Sequence, residues 1–235
     1  MPYTPISRPT PTSSPPSETA GDQSGLTVHD LGLRPYQEVW AAMRSFTESR
    51  KTTTPDELWL VEHPPVFTQG RNGRPEHLVN ISGVPVVETD RGGQVTYHGP
   101  GQLVAYPLVD LRRAGRGVRH HVHALEQSVI DLLAGYGLSG ARKADAPGVY
   151  LDEPGQPKIA AIGLRVRAGR AYHGVSLNVS NNLAPYAMIN PCGYAGMPVA
   201  RLADRIPEAD LAAVKGSFTA ALARALPGGE ELSHV

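Results

Sequence analysis

The chain has 235 residues, with 22 Lys plus Arg against 22 Asp plus Glu, so its formal net charge is zero. That balance provides no dedicated surface for nucleic acid or for an anionic membrane. No apolar run approaches the ~18 residues a membrane-crossing helix needs, the first residues lack a basic stretch followed by an apolar one, and the single cysteine cannot form an internal disulfide. The expectation is a cytoplasmic protein in a reducing compartment, where a lone thiol is free for chemistry.

Residues 1–24 are rich in Pro, Ser and Thr and poor in large apolar side chains, which reads as a disordered tail. Residues 25–235 read as one domain. Tyr36, Val39, Trp40 and Met43 recur at helical spacing behind Pro35. Leu58 to Glu62 forms a buried-strand pattern ended by His63-Pro64-Pro65, and Val84–Val87, Gln94–Tyr97 and Leu103–Val109 are further short apolar segments between Gly and Pro. Val118, Val122, Leu125, Val129 and Leu132 make one stripe of a helix that stops near Gly135–Gly137. A hairpin follows: Ile162, Leu164 and Val166 alternate with Gly163, Arg165 and Arg167. After the Ala168-Gly169-Arg170 turn, His173, Val175, Leu177 and Val179 alternate with Gly174, Ser176 and Asn178. A last helix is expected from near Pro207, with Leu211, Val214, Phe218 and Leu222 inward. The sum is an α/β (α+β) domain with a mixed, largely antiparallel sheet flanked by helices.

Three segments carry possible chemistry. Arg91-Gly92-Gly93-Gln94-Val95-Thr96-Tyr97-His98 brackets a short strand with glycines that permit close backbone approach to a ligand, and Arg91 and His98 would flank the pocket. No Gly-Lys-Ser/Thr follows, so it is not a phosphate-binding loop of the nucleotide-hydrolase type. Cys192 sits between Pro191 and Gly193, in a turn that can present a thiol rather than bury it. A thiol is mostly protonated at neutral pH and needs a basic neighbour to act as nucleophile. Lys158 opens the strand Lys158-Ile159-Ala160-Ala161-Ile162-Gly163, whose small residues leave room for a ligand; taken alone it also fits an ordinary solvated lysine. His120, His121 and His123 fan over more than one helix face, with Val122 facing the core. Without a second group at ligand spacing they do not make a zinc site, and no metal is expected. His63 fits a strand-end cap or a pocket wall, and His173 a packed or ligand-facing residue.

Taken in order, Glu62-His63-Pro64-Pro65-Val66-Phe67-Thr68, the Arg91–Gln102 segment, Lys158–Gly163, His173-Gly174 with Leu177-Asn178, and Pro191-Cys192-Gly193 resemble the lipoyl(octanoyl) transferases over about residues 26–226. The resemblance implies a fold like the catalytic domain of biotin and lipoate protein ligases. It implies transfer of an octanoyl group from acyl carrier protein to a lysine of lipoyl domains, with Cys192 as nucleophile and Lys158 as its acid–base partner. The acyl pocket would be lined by Arg91, Gly92, Gly93, Gln94, Val95, Thr96, Tyr97 and His98, by Ala161, Ile162 and Gly163, and by Gly174, Val175 and Ser176. The implied partners are octanoyl-acyl carrier protein, apo lipoyl domains of 2-oxoacid dehydrogenase complexes and the glycine cleavage H protein, with no ATP, no metal and a monomeric enzyme. Asn182-Leu183 and Ala200-Arg201-Leu202 depart from the family's usual Asp-Leu and Thr-Ser-Leu. Rival readings are an ATP-dependent lipoate or biotin ligase of the same fold, a non-catalytic acyl-binding module, and a cysteine hydrolase.

Overall fold

The computed structural model describes residues 26–144, 146–191 and 196–226. The segment 1–24, expected as a tail, and Cys192 lie outside the described residues.

Seven strands form the main sheet in the order β1-β2-β6-β10-β9-β8-β7. They are β1 (Leu26–Leu33), β2 (Asp56–Glu62), β6 (Gln102–Leu108), β7 (Gly140–Ala141), β8 (Gly148–Leu151), β9 (Lys158–Arg167) and β10 (Arg170–Asn178). Only β1 and β2 run parallel; every other neighbour pair is antiparallel. A second sheet holds β4 (Val86–Glu88), β3 (Val66–Gln69) and β5 (Val95–His98), with β3 central. The mixed, largely antiparallel architecture matches the sequence expectation.

Among the described residues three α-helices complete the fold: α1 (Tyr36–Ser49), α2 (Val118–Gly135) and α3 (Leu211–Ala225). Both α2 and α3 pack on one face of the main sheet, where Leu125, Val129, Leu132, Val214, Phe218 and Leu222 meet Leu103, Val175 and Leu177. On the opposite face α1 places Val39 and Met43 against Trp59, Val104, Tyr106 and Tyr172. The helix ends follow from local chemistry. Gly137 at φ +73 closes α2, its N–H reaching the Ala134 carbonyl. Asp210 caps α3 by accepting from Ala213 N–H at 3.0 Å.

Three expectations change. First, α3 begins at Leu211 rather than near Pro207, because Asp210 supplies the side-chain cap and Pro207 does not. Second, Val118 is exposed in the first turn of α2 and Val122 only half-buried, while His121 is fully buried between them. Burial holds His121 neutral, its pKa pushed down to about 4. Third, β10 has no solvent face: every residue from Ala171 to Asn178 is buried, because helices cover one side and α1 with the small sheet cover the other.

Candidate active site

The site grows from an absence of side chains on the α1 face of the main sheet. Antiparallel register puts Ser176 beside both Val104 and Ala161, and Gly174 beside Gly163. Small side chains at four adjacent positions leave a hollow in the middle of the sheet. The small sheet roofs it with Val95, Thr96 and His98, and Tyr36 of α1 closes one side. The resulting cavity measures about 70 Å³, against the ~10–15 Å³ one water needs on the same measure.

Lys158 lines one end of this cavity and is 4% exposed. Its backbone is clamped from both sides: Lys158 N–H donates to the Pro198 carbonyl at 2.8 Å, and its own carbonyl accepts from Ala200 N–H at 3.0 Å. Its Nζ donates to the Pro147 carbonyl at 3.0 Å and lies 5.2 Å from the centre of the Tyr150 ring. Space for the end of that side chain exists because residue 148 is glycine. A Cβ at Gly148 would sit 2.6 Å from Lys158 Cε. Pro191 and Val199, described residues on either side of 192–195, also line the cavity.

Of the expected pocket residues, Arg91, Gly93, Gln94, Val95, Thr96, His98, Ala161, Ile162, Gly163, Gly174, Val175 and Ser176 border the cavity. Gly92 and Tyr97 do not. Gly92 points its N–H at the Leu164 carbonyl, docking the loop onto β9. The Tyr97 ring packs instead into a separate apolar cluster with Phe67 and Ile189, and against Tyr186.

A buried polar relay forms one wall. The Arg91 guanidinium donates through Nε to Thr68 Oγ1 at 3.1 Å and through Nη2 to the Thr68 and Gln94 carbonyls at 2.5 and 2.7 Å. Gln102 Nε2 donates to Asn178 Oδ1 and to the Tyr97 carbonyl, which fixes Gln102 Oε1 as the acceptor for His98 Nδ1 at 2.7 Å. His98 Nε2 then accepts from the Thr68 hydroxyl at 3.3 Å. Burial, reinforced by neighbouring His63, pushes the His98 pKa down to about 3. His63 donates from Nδ1 to the Arg34 carbonyl and accepts from Tyr106 Oη; burial lowers it to about 4. Both rings are therefore neutral hydrogen-bonding parts at pH 7 rather than proton carriers.

Residues 35–223 match the family model "Lipoyl protein ligase A/B catalytic domain". The octanoyltransferase of Halorhodospira halophila is 62% identical over 174 residues, covering 74% of this chain and 79% of that protein. The chain belongs to the octanoyltransferase family. It is an acyltransferase. The octanoyltransferase of Aromatoleum aromaticum is 55% identical over 202 residues and covers 86% of each chain. Two solved structures share the fold at 15% identity. One is the bipartite lipoate protein ligase from Thermoplasma acidophilum, with a TM-score of 0.69 over 85% of this chain and 83% of that one. The other is a lipoate-protein ligase A bound with ATP, with a TM-score of 0.63 over 86% of this chain and 84% of that one. The ligase-like fold expected from the resemblance is thus the observed octanoyltransferase fold.

Tyr36, Val104, Tyr106, Asn178 and Tyr186 also line the cavity of this octanoyltransferase-family chain, outside the sequence-derived set. Asp90 adds a second missed feature. Its carboxylate accepts from Trp40 Nε1 at 2.8 Å, from His173 Nε2 at 2.9 Å and from Tyr172 Oη. Those donors hold it ionised, well below the usual carboxylate range despite the opposing cost of burial. His173, expected as a packed or ligand-facing residue, lines the cavity: its φ of +60 turns the ring to the cavity side, stacked on Tyr172. The register that pairs Val175 with Ala105 sets His173 opposite Pro107, which has no N–H to continue the ladder.

Proposed function

We propose that this chain moves an octanoyl group from acyl carrier protein to a lysine of a lipoyl domain through a thioester on Cys192, with Lys158 as acid and base. The observation that carries this reading is a buried lysine at one end of a cavity floored by Ala161, Gly163, Gly174 and Ser176, next to Pro191. The names of the relatives, octanoyltransferase, supply the acyl group.

In the first half-reaction Lys158 takes the thiol proton and the Cys192 thiolate attacks the thioester carbonyl of the carrier's pantetheine arm. The carbonyl–sulfur bond to the carrier breaks, and protonated Lys158 returns the proton to the leaving thiolate. In the second half-reaction the neutral amine of the acceptor lysine attacks the Cys192 thioester. An amide forms, Cys192 leaves as thiolate, and the proton lost by the amine passes through Lys158 back to sulfur. Exchange of one thioester for another is nearly balanced and amide formation is downhill, so the scheme requires neither ATP nor metal. Backbone N–H groups beside Cys192 and along Ala161–Gly163 are candidates to stabilise the tetrahedral oxyanion. In this scheme the enzyme acts as a monomer on acyl carrier protein and on apo lipoyl domains, including those of 2-oxoacid dehydrogenases and the glycine cleavage H protein.

Intact-protein mass spectrometry after mixing with octanoyl-acyl carrier protein, without ATP, tests the reading. A gain of one octanoyl group by wild type, absent in Cys192→Ala and discharged by an apo lipoyl domain, is the expected result. Transfer only after ATP is added, and retained in Cys192→Ser, would overturn it in favour of a ligase.

A further inference from the structure

The proposed chemistry uses only one end of the cavity; the other end is polar. A strand advances ~3.3 Å per residue, so Gly163 and Leu164 lie roughly 16–20 Å along β9 from Lys158. There the Arg91–Gly93 loop docks onto β9 through the Gly92 N–H, 2.8 Å from the Leu164 carbonyl. A Cβ at Gly163 would meet the Gly92 carbonyl at 2.9 Å, so the loop closes the cavity at this point. An aliphatic chain entering from Lys158 therefore ends near Tyr36, His98, Tyr106 and His173.

Most of these polar groups are already satisfied. His98 is bonded on both nitrogens, and Tyr106 Oη is spent on His63. Two atoms on buried residues keep capacity: His173 Nδ1 has no hydrogen-bond partner among the described residues, and Tyr36 Oη is met by the Thr89 hydroxyl, which leaves the Tyr36 proton free to donate; the two residues are 1% and 4% exposed. His173 is held in this place deliberately. Its φ of +60 is a conformation that a non-glycine residue keeps only when its surroundings enforce it. Asp90 accepts its Nε2–H, and Trp40 and Tyr172 pin Asp90 in turn. With Nε2 protonated, Nδ1 of the neutral ring is an acceptor, while Tyr36 Oη can donate. Together the pair complements a group that both donates and accepts one hydrogen bond.

We propose that the closed end of the cavity is a hydroxyl-recognition site, made by Tyr36 Oη and His173 Nδ1 with Asp90 as the positioning residue. A water fills it beyond the methyl end of an eight-carbon chain and limits acyl length. A chain with a terminal hydroxyl replaces that water with its own oxygen. This inference rests on the acyl-transfer reading above.

The test compares kcat/KM for 8-hydroxyoctanoyl- and nonanoyl-acyl carrier protein, chains of equal heavy-atom count, and for decanoyl- against octanoyl-acyl carrier protein. Each pair is run on wild type, Tyr36→Phe and His173→Asn with an apo lipoyl domain as acceptor. Tyr36→Phe removes one oxygen and Asn tolerates positive φ, and thermal unfolding verifies that both variants fold. The hydroxyoctanoyl-to-nonanoyl ratio is expected to fall about tenfold in each variant, and the decanoyl-to-octanoyl ratio to rise. Movement of the first ratio supports capture of an acyl hydroxyl, and movement of the second supports the water. If neither ratio moves while octanoyl transfer is intact, the distal site is wrong and the transferase reading stands. If wild type transfers no octanoyl group, both fall.

Discussion

Replacing Gly148 by alanine tests whether Lys158 is placed by the backbone around it. Gly148 has φ +135, where an L side chain is strained, and its added Cβ would lie 2.4 Å from the Ala160 carbonyl and 2.6 Å from Lys158 Cε. The Ala160 carbonyl belongs to β9 and cannot retreat without breaking the β8–β9 ladder, in which Gly148 pairs with Ala161. Strain of this kind costs about 1–3 kcal/mol. For a domain of this size that corresponds to a Tm lower by roughly 2–12 °C. The Lys158 stem can move, and a shift of about 1 Å at a reacting group costs on the order of 100-fold in rate. Acyl-enzyme formation from octanoyl-acyl carrier protein, followed by rapid quench and mass spectrometry, reads the second effect, and calorimetry the first. Gly155→Ala is the control: Gly155 has φ +83 but nothing within 4 Å of its would-be Cβ. It should lose about 1–2 kcal/mol of stability and keep its rate. If Gly148→Ala acylates at the wild-type rate while its Tm drops, the steric placement of Lys158 has no catalytic consequence and the argument is refuted.

Other expectations follow from the same network. Gln102→Leu strips partners from His98 Nδ1 and Asn178 Oδ1, which should cost about 2–4 kcal/mol in urea unfolding at constant m-value; a loss under 0.5 kcal/mol would show the relay to be incidental. Glu126 accepts from Gly148 N–H at 3.1 Å and pairs with Arg142 at 3.2 Å. Glu126→Leu should therefore lower kcat with little change in KM, and Glu126→Gln, which keeps an acceptor, should restore most of it; equal loss in both variants would point to the ion pair instead. His63, His98 and His121 are buried with pKa values lowered to about 4, 3 and 4. Below pH 6.5 the unfolded chain binds protons that the folded chain refuses, so stability is full above pH 6.5 and falls as pH drops toward 4. Each ring contributes up to about 1.4 kcal/mol per pH unit in that window; urea midpoints that stay level between pH 7 and 5 would contradict the burial of these rings.

What the sequence reveals here depends on how local each constraint is. Helices α1 and α2 and strands β2, β6, β9 and β10 are visible because their apolar spacing or length is self-contained. β3 is four residues long behind Pro64-Pro65, and β7 has two residues; neither is long enough to show a period, and each exists because a neighbouring strand supplies its hydrogen bonds. His121 misleads for a related reason: an imidazole occupies the buried position that the helical stripe assigns to an aliphatic side chain. The small residues of the site, Ala161, Gly163, Gly174 and Ser176, stand out in the sequence, but their shared face emerges only from the β9–β10 register.

At the closed end of the cavity the sequence marks His173 as packed or ligand-facing, but not the break in alternation that turns it inward, nor Asp90 and Tyr36 beside the same cavity. Period-two alternation assigns His173 to the helix-covered face with Val175 and Leu177. Pro107 lies in a central strand, where its missing N–H interrupts the ladder on the next strand, and His173 turns over at that point. Asp90, from the loop, then accepts from the ring, and Tyr36, from α1, lines the same cavity. A proline in the middle of a buried strand is itself a signal available in the sequence. It predicts a neighbour with irregular backbone, and in an enzyme whose cavity is cut into the sheet, that irregular neighbour is where a polar side chain can be turned inward.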